Sequence, residues 1–113
     1  MNVIQEVYDW NNDRSLLDNG IDVSLEYSMI KEELLELLAA ETRVDVADAL
    51  ADIIFVALGS LSKLTQDEQK VHDILMVVCA ANNLKGKDTT NGKITKPEGF
   101  SGPEGMIEGI LNG

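Results

Sequence analysis

The sequence predicts an all-α fold, an antiparallel four-helix bundle followed by an irregular, loop-rich C-terminal arm. Aromatic residues are only 4% of the 113, so the 44% apolar share falls mainly to Leu, Ile, Val, Ala and Met, which suit helices. Four segments space their apolar residues with the helical rather than the strand period. Most glycines and both prolines are held back until after Asn83, where regular structure should give way to loops.

Residues 2–13 place Val3, Ile4, Val7, Tyr8 and Trp10 mainly on one side of a first helix. Asp18-Asn19-Gly20 marks a turn and loop. Ser24 is the expected N-cap of a second helix over residues 25–41. Thr42 caps a third, residues 43–62, apolar nearly all round apart from Asp45, Asp48 and Asp52, as a helix in the centre of a bundle would be. Thr65 is the expected cap of a fourth helix over 66–83, where Gln66, Asp67 and Glu68 suit the positive end of the helix dipole. In the tail, Asn91-Gly92 signals a type I′ turn with a small hairpin, and residues 104–111 a short last helix. Trp10, Tyr8 and Phe55 are expected in the core.

The length fits one domain, 1–113, with a helical core over about 2–83 and a basic tail over 84–113. A chain this short buries only about 60–70% of its unfolded surface, so a partner subunit would help its core. A net charge of -11, from 20 acidic against 9 basic side chains, argues against nucleic acid as a partner. Cys79, the single cysteine, cannot form an internal disulfide and is expected to be a small buried residue in a reducing compartment. The first residues lack the pattern of a signal peptide, and no run approaches the roughly 18 apolar residues of a membrane span. The expectation is a soluble cytoplasmic protein with no membrane partner.

The stretch KEELLELLAAETRVDVADALADIIF, residues 31–55, sets seven carboxylates among apolar residues with only Lys31 and Arg43 to neutralise them. Glu32, Glu33 and Glu36 fall within a roughly 100° sector of the second helix, and Asp45, Asp48 and Asp52 within roughly 60° on the third. A very short link near Glu41-Thr42 makes the two helices antiparallel neighbours. The two acidic stripes then face each other at one height. Carboxylates gathered without counterions repel and lose hydration. A hard divalent cation relieves both costs, because oxygen ligands are its preferred shell. A solvated acidic face, the plainer alternative, suits a lone Glu-x-x-Glu better than it suits three acids interrupting so apolar a helix.

Four of the nine basic residues, Lys85, Lys87, Lys93 and Lys96, lie close together in the tail. A basic arm beside an acidic metal cluster suits a polyphosphate ligand. His72, the only histidine, has no elbow motif to build a triad with and reads as a helix-surface or interface residue.

With these features assembled, the chain resembles the MazG-like, all-α nucleoside triphosphate pyrophosphohydrolase superfamily, in its small phosphoribosyl-ATP pyrophosphohydrolase-like branch. The resemblance runs from about residue 26 to about 108. EELLEL (Glu32–Leu37) matches the EExxE signature, and DALADIIFVALG (Asp48–Gly59) the acidic second helix. AANNLK (Ala80–Lys85) is similar to the Asn-x-x-Lys element, as Asn82 and Lys85, and NGKITK with GFSGPE to the tail of small members. The chain departs from the pattern once: the second pair should be Glu-x-x-Asp, and three residues before Asp52 stands Ala49. The second ligand pair is then Asp48 with Asp52, which the alignment of Asp52 favours, or Asp45 with Asp48.

The resemblance implies hydrolysis of a nucleoside triphosphate or related nucleotide to the monophosphate and pyrophosphate, with Mg²⁺ (or Mn²⁺) as cofactor. It implies metal ligands at Glu32, Glu33, Glu36, Asp48 and Asp52, with Asp45 as an alternative, and a catalytic role for Glu33 or Glu36. Asn82, Lys85, Lys93 and Lys96 would meet the nucleotide and its phosphates. A homodimer or homotetramer is implied as well. Two alternatives stand beside this: a phosphoribosyl-ATP pyrophosphohydrolase, and a non-catalytic helical dimer binding nucleotide, metal or a partner protein.

Overall fold

The structure, a computed structural model, describes residues 2–113 and is mostly helical, in line with the predicted fold class. Five helices, α1 (Val3–Asp13), α2 (Val23–Ala39), α3 (Arg43–Thr65), α4 (Glu68–Asn83) and α5 (Glu104–Asn112), are joined by one two-stranded ribbon, β1 (Thr89–Thr90) with β2 (Lys93–Ile94). The chain divides into two compact units, the first ending at Val71 and the second running from His72 to Gly113. No helix among the described residues is long and apolar enough to cross a membrane.

Local chemistry places the helix ends of the first unit. Asn2 accepts from the Gln5 amide at 2.8 Å and starts α1. Asp22, not Ser24, caps α2: its Oδ1 accepts from the Leu25 amide at 3.3 Å, and α2 begins two residues earlier than expected. A carboxylate is the better partner for the positive end of a helix, which is why Asp22 prevails over the serine inside the first turn. Thr42 caps α3 as expected, its Oγ1 taking the Asp45 amide at 3.1 Å, a contact of the kind worth about 1 kcal/mol. At the other end α3 runs on to Thr65, where Gln66 (φ 52°) turns left-handed and ends it. Thr65 therefore closes α3 and does not open α4. Asp67 has that role, with Oδ1 accepting from the Gln69 and Lys70 amides at 2.9 and 3.2 Å.

Both α1 and α2 pack on α3, so α3 is the central helix of this unit. Its partner α2 runs antiparallel: Glu26, near the start of α2, meets Ser60 and Lys63 near the end of α3. At the opposite end, Glu36, Ala39 and Ala40 line one pocket with Asp45, Asp48 and Ala49. The fully covered apolar set is small, Val7, Leu17, Ala49, Leu58 and Val71. Gln66 Nε2 donates to the Leu17 carbonyl at 2.8 Å and ties the 14–22 loop down over that core.

Two expectations about burial are corrected. Trp10 and Phe55 form an edge-to-face pair with centroids 5.1 Å apart, yet are 39% and 37% exposed, at the margin of the core rather than inside it. Arg14 sits 4.3 Å over the Trp10 ring. Cys79, expected inside, is exposed. Apolar spacing shows which face of a helix seeks cover; it does not show that the cover comes from the same chain.

In the second unit the Asn91-Gly92 signal is met. Asn91 (φ 54°) and Gly92 (φ 77°) are both left-handed, as a type I′ turn requires, and Thr89 pairs with Ile94 and Thr90 with Lys93. The Thr95 amide donates to the Asp88 carbonyl at 2.9 Å and closes the base of the ribbon.

Candidate metal centre

Glu33 and Glu36 stand three apart on α2 and so share one face of it. The tight link over residues 40–42 folds α3 back along that face, and Asp52 arrives at the same level. One oxygen from each of Glu33, Glu36 and Asp52 lies within 4.8 Å of the others. Glu33 and Asp52 are half-buried and Glu36 is exposed. Among the described residues, none of the three has an ion-pair partner.

Glu33 carries most of the strain of this arrangement. Its Oε2 is buried without a hydrogen-bond partner. Its pKa is raised above the ordinary 4.5, first by burial, then by a hydrogen bond with Glu36 and by the negative charges of Glu36, Asp52 and Glu32. A buried acceptor facing two further carboxylates needs a proton or a cation. The donors are all carboxylate oxygens, which fits a hard divalent ion of the Mg²⁺ or Mn²⁺ kind.

The other predicted acids stand apart from this trio. Glu32 is exposed on α2 and acts on Glu33 through its charge. Asp45 and Asp48 are exposed and line a pocket of about 270 Å³ with Glu36 and the buried Ala49. Of the predicted second pair, Asp52 is the member with an oxygen within 4.8 Å of both Glu33 and Glu36. Glu36 borders both the trio and the pocket.

Asn82, Lys85, Lys93 and Lys96 belong to the second unit. Lys85 Nζ donates to Asn82 Oδ1 at 2.9 Å, while Asn82 Nδ2 donates to the Val78 carbonyl at 2.9 Å. The Asn-x-x-Lys element is thus internally bonded across the turn that follows α4. The Lys85 ammonium also lies 5.4 Å from the Phe100 ring centroid. Lys93 on β2 and Lys96 just after it are exposed. His72 is half exposed beside Asp73, 3.4 Å away.

Sequence reasoning passed over Glu26 altogether. The residue is 4% exposed, and its carboxylate is bound by Ser60 and Lys63. A signal was present: Glu26 precedes Glu33 by seven residues and so lies on the same stripe of α2.

Searches of the curated proteins and of the solved structures returned no match to this chain. A family model does match, that of phosphoribosyl-ATP pyrophosphohydrolase, over residues 11–85. That span covers well over half of the chain and includes α2, α3, the carboxylate trio, Asn82 and Lys85. The chain therefore belongs to the phosphoribosyl-ATP pyrophosphohydrolase family, within the MazG-like superfamily of nucleotide pyrophosphohydrolases.

Proposed function

We propose that this protein hydrolyses a nucleoside triphosphate to the nucleoside monophosphate and pyrophosphate with Mg²⁺ as its metal, Mn²⁺ substituting. The observation that carries the proposal is the trio Glu33, Glu36 and Asp52, with its oxygens within 4.8 Å and the Glu33 Oε2 buried and unpartnered. Glu33, Glu36 and Asp52 would hold the ion. When bound, it neutralises phosphate oxygens and lowers the pKa of water. One of the two α2 glutamates accepts the proton of the attacking water as its oxygen bonds to phosphorus, and pyrophosphate leaves with the electron pair of the broken phosphoanhydride bond. Lys85, Lys93 and Lys96 are assigned to phosphate charge, and Asn82 to hydrogen bonding with the nucleotide.

The family match gives a second reading its specific support: phosphoribosyl-ATP as substrate. One panel decides between them. Pyrophosphate release is measured from canonical and modified nucleoside triphosphates, both ribo and deoxy, and from phosphoribosyl-ATP, with Mg²⁺, Mn²⁺ or chelator. Release from a nucleoside triphosphate alone supports the first reading, and release from phosphoribosyl-ATP alone replaces it. No release from a folded protein would leave a nucleotide- or metal-binding module.

We further propose that the chain works as a homodimer or homotetramer. Leu34, Leu35 and Leu38 on α2 are 50%, 56% and 83% exposed, and Val44, Leu50 and Ile54 on α3 are 77%, 46% and 55% exposed. So much exposed apolar surface on two adjacent helices is what an interface shows before its partner is added. Sedimentation should give two or four chains, and Leu38→Glu should shift the mass toward one chain with the helical CD unchanged. A wild-type monomer at tens of micromolar would remove this proposal.

A further inference from the structure

The trio draws on two helices, so its geometry depends on how α2 and α3 are aligned. Apolar packing alone tolerates small slips and rotations. The trio also works against alignment, since three carboxylates repel across the gap until a cation or proton arrives.

At the far end of the same helix pair the contacts are directional. Lys63 Nζ donates to both oxygens of Glu26, at 3.1 and 3.0 Å, and Ser60 Oγ donates to Glu26 Oε1 at 2.8 Å. The Lys63 and Glu26 side chains are 11% and 5% exposed. Among the described residues, the side-chain hydrogen bonds that join α2 to α3 all converge on Glu26. Glu26 and Glu33 lie within about 20° of each other around α2 and about 10 Å apart along it. Lys63 and Asp52, eleven residues apart, lie within about 20° around α3. The buried ion pair and the trio therefore tie the same two stripes together, one by attraction and one through a ligand.

We propose that Glu26 and Lys63 are positioning residues for the metal centre: their buried ion pair sets the α2–α3 register that brings Asp52 to Glu33 and Glu36 before any ion binds. The inference rests on the metal reading given above. Buried ion pairs contribute little net stability, and well-packed apolar replacements are often neutral or better, so a stabilising role alone does not account for this one. A directional clamp does, because it specifies one alignment among several that apolar packing permits. Glu26 in the first turn of α2 and Lys63 in the last turn of α3 also complement their helix dipoles, so the clamp has a preferred polarity.

The test is the Mn²⁺ dissociation constant, from titration of the free-ion EPR signal, in wild type and in two paired apolar replacements, Glu26→Leu with Lys63→Met and Glu26→Met with Lys63→Leu. The two pairs fill the site differently, so failure of one to fold leaves the other. Lys63→Arg, which keeps the ion pair, is the rescue control. Whichever apolar pair melts no lower than wild type should bind Mn²⁺ about 10-fold more weakly, the lower end of what loss of a supporting contact costs a metal site. Lys63→Arg should bind as wild type does. Wild-type affinity in a folded apolar pair overturns the proposal while leaving the metal reading intact. A wild-type protein that binds no Mn²⁺ overturns both.

Discussion

Glu36→Gln lowers metal-dependent pyrophosphate release by about 100-fold or more, whichever nucleotide proves to be the substrate. The substitution keeps the shape of the side chain and removes one negative charge, on a residue whose exposure leaves little packing to lose. Exposed changes of this sort alter stability by no more than about 0.5 kcal/mol. Here the sign should favour the variant, because one of three mutually repelling carboxylates becomes neutral. Loss of turnover without loss of melting temperature is therefore the expected pair of results. Asp52→Asn should lose turnover too, through the ion alone, since Asp52 comes from the other helix and is not assigned the proton. Excess Mn²⁺ should then recover part of the Asp52→Asn activity and little of the Glu36→Gln activity. Full activity in Glu36→Gln would remove Glu36 from the centre.

How much of this was visible in the chain depends on the range of the forces involved. The Thr42 cap and the Asn91-Gly92 turn were legible because each is decided within four residues. The start of α2 was misplaced by two residues because Asp22 and Ser24 can both cap, and only the folded chain shows which amide is reached. Thr65 misled for a similar reason: α3 gains a last turn, and the left-handed Gln66 hands the cap of α4 to Asp67. Counting turns from a short link sets the acidic stripes of α2 and α3 against each other, but only the resemblance favours Asp52 within the second stripe. That Asp48 would instead line a pocket with Glu36 and Asp45 depends on the rotation of α3, which sequence spacing does not fix. Trp10 and Cys79 show the same limit for burial, since a helical stripe of apolar residues does not name its neighbour.

Metal and protons should compete for the same centre, and the competition should be readable in stability alone. Glu33 has a pKa above the ordinary 4.5 in the folded chain, chiefly through burial and then through Glu36, Asp52 and Glu32. Because the native state holds this proton more tightly than the unfolded state does, folding stability falls as pH rises from 4.5 through the raised value. In chelator, the melting temperature of wild type minus that of Asp52→Asn should therefore decline across that window, since the variant lacks one of the charges acting on Glu33. The subtraction cancels the general titration of a chain with 20 acidic side chains. A divalent ion takes over the proton's role above the window. At about 100 times its dissociation constant it adds roughly 2.7 kcal/mol at neutral pH, a rise in melting temperature on the order of 10 °C for a chain of this size. That increment should shrink as pH falls through the window, because protonated carboxylates do not ligate. A metal increment of equal size at pH 4.5 and pH 7, or one undiminished in Asp52→Asn at the same metal concentration, would mean that the ion binds elsewhere. The buried, unpartnered Glu33 Oε2 would then need another explanation, such as a carboxyl that stays protonated and never meets a metal.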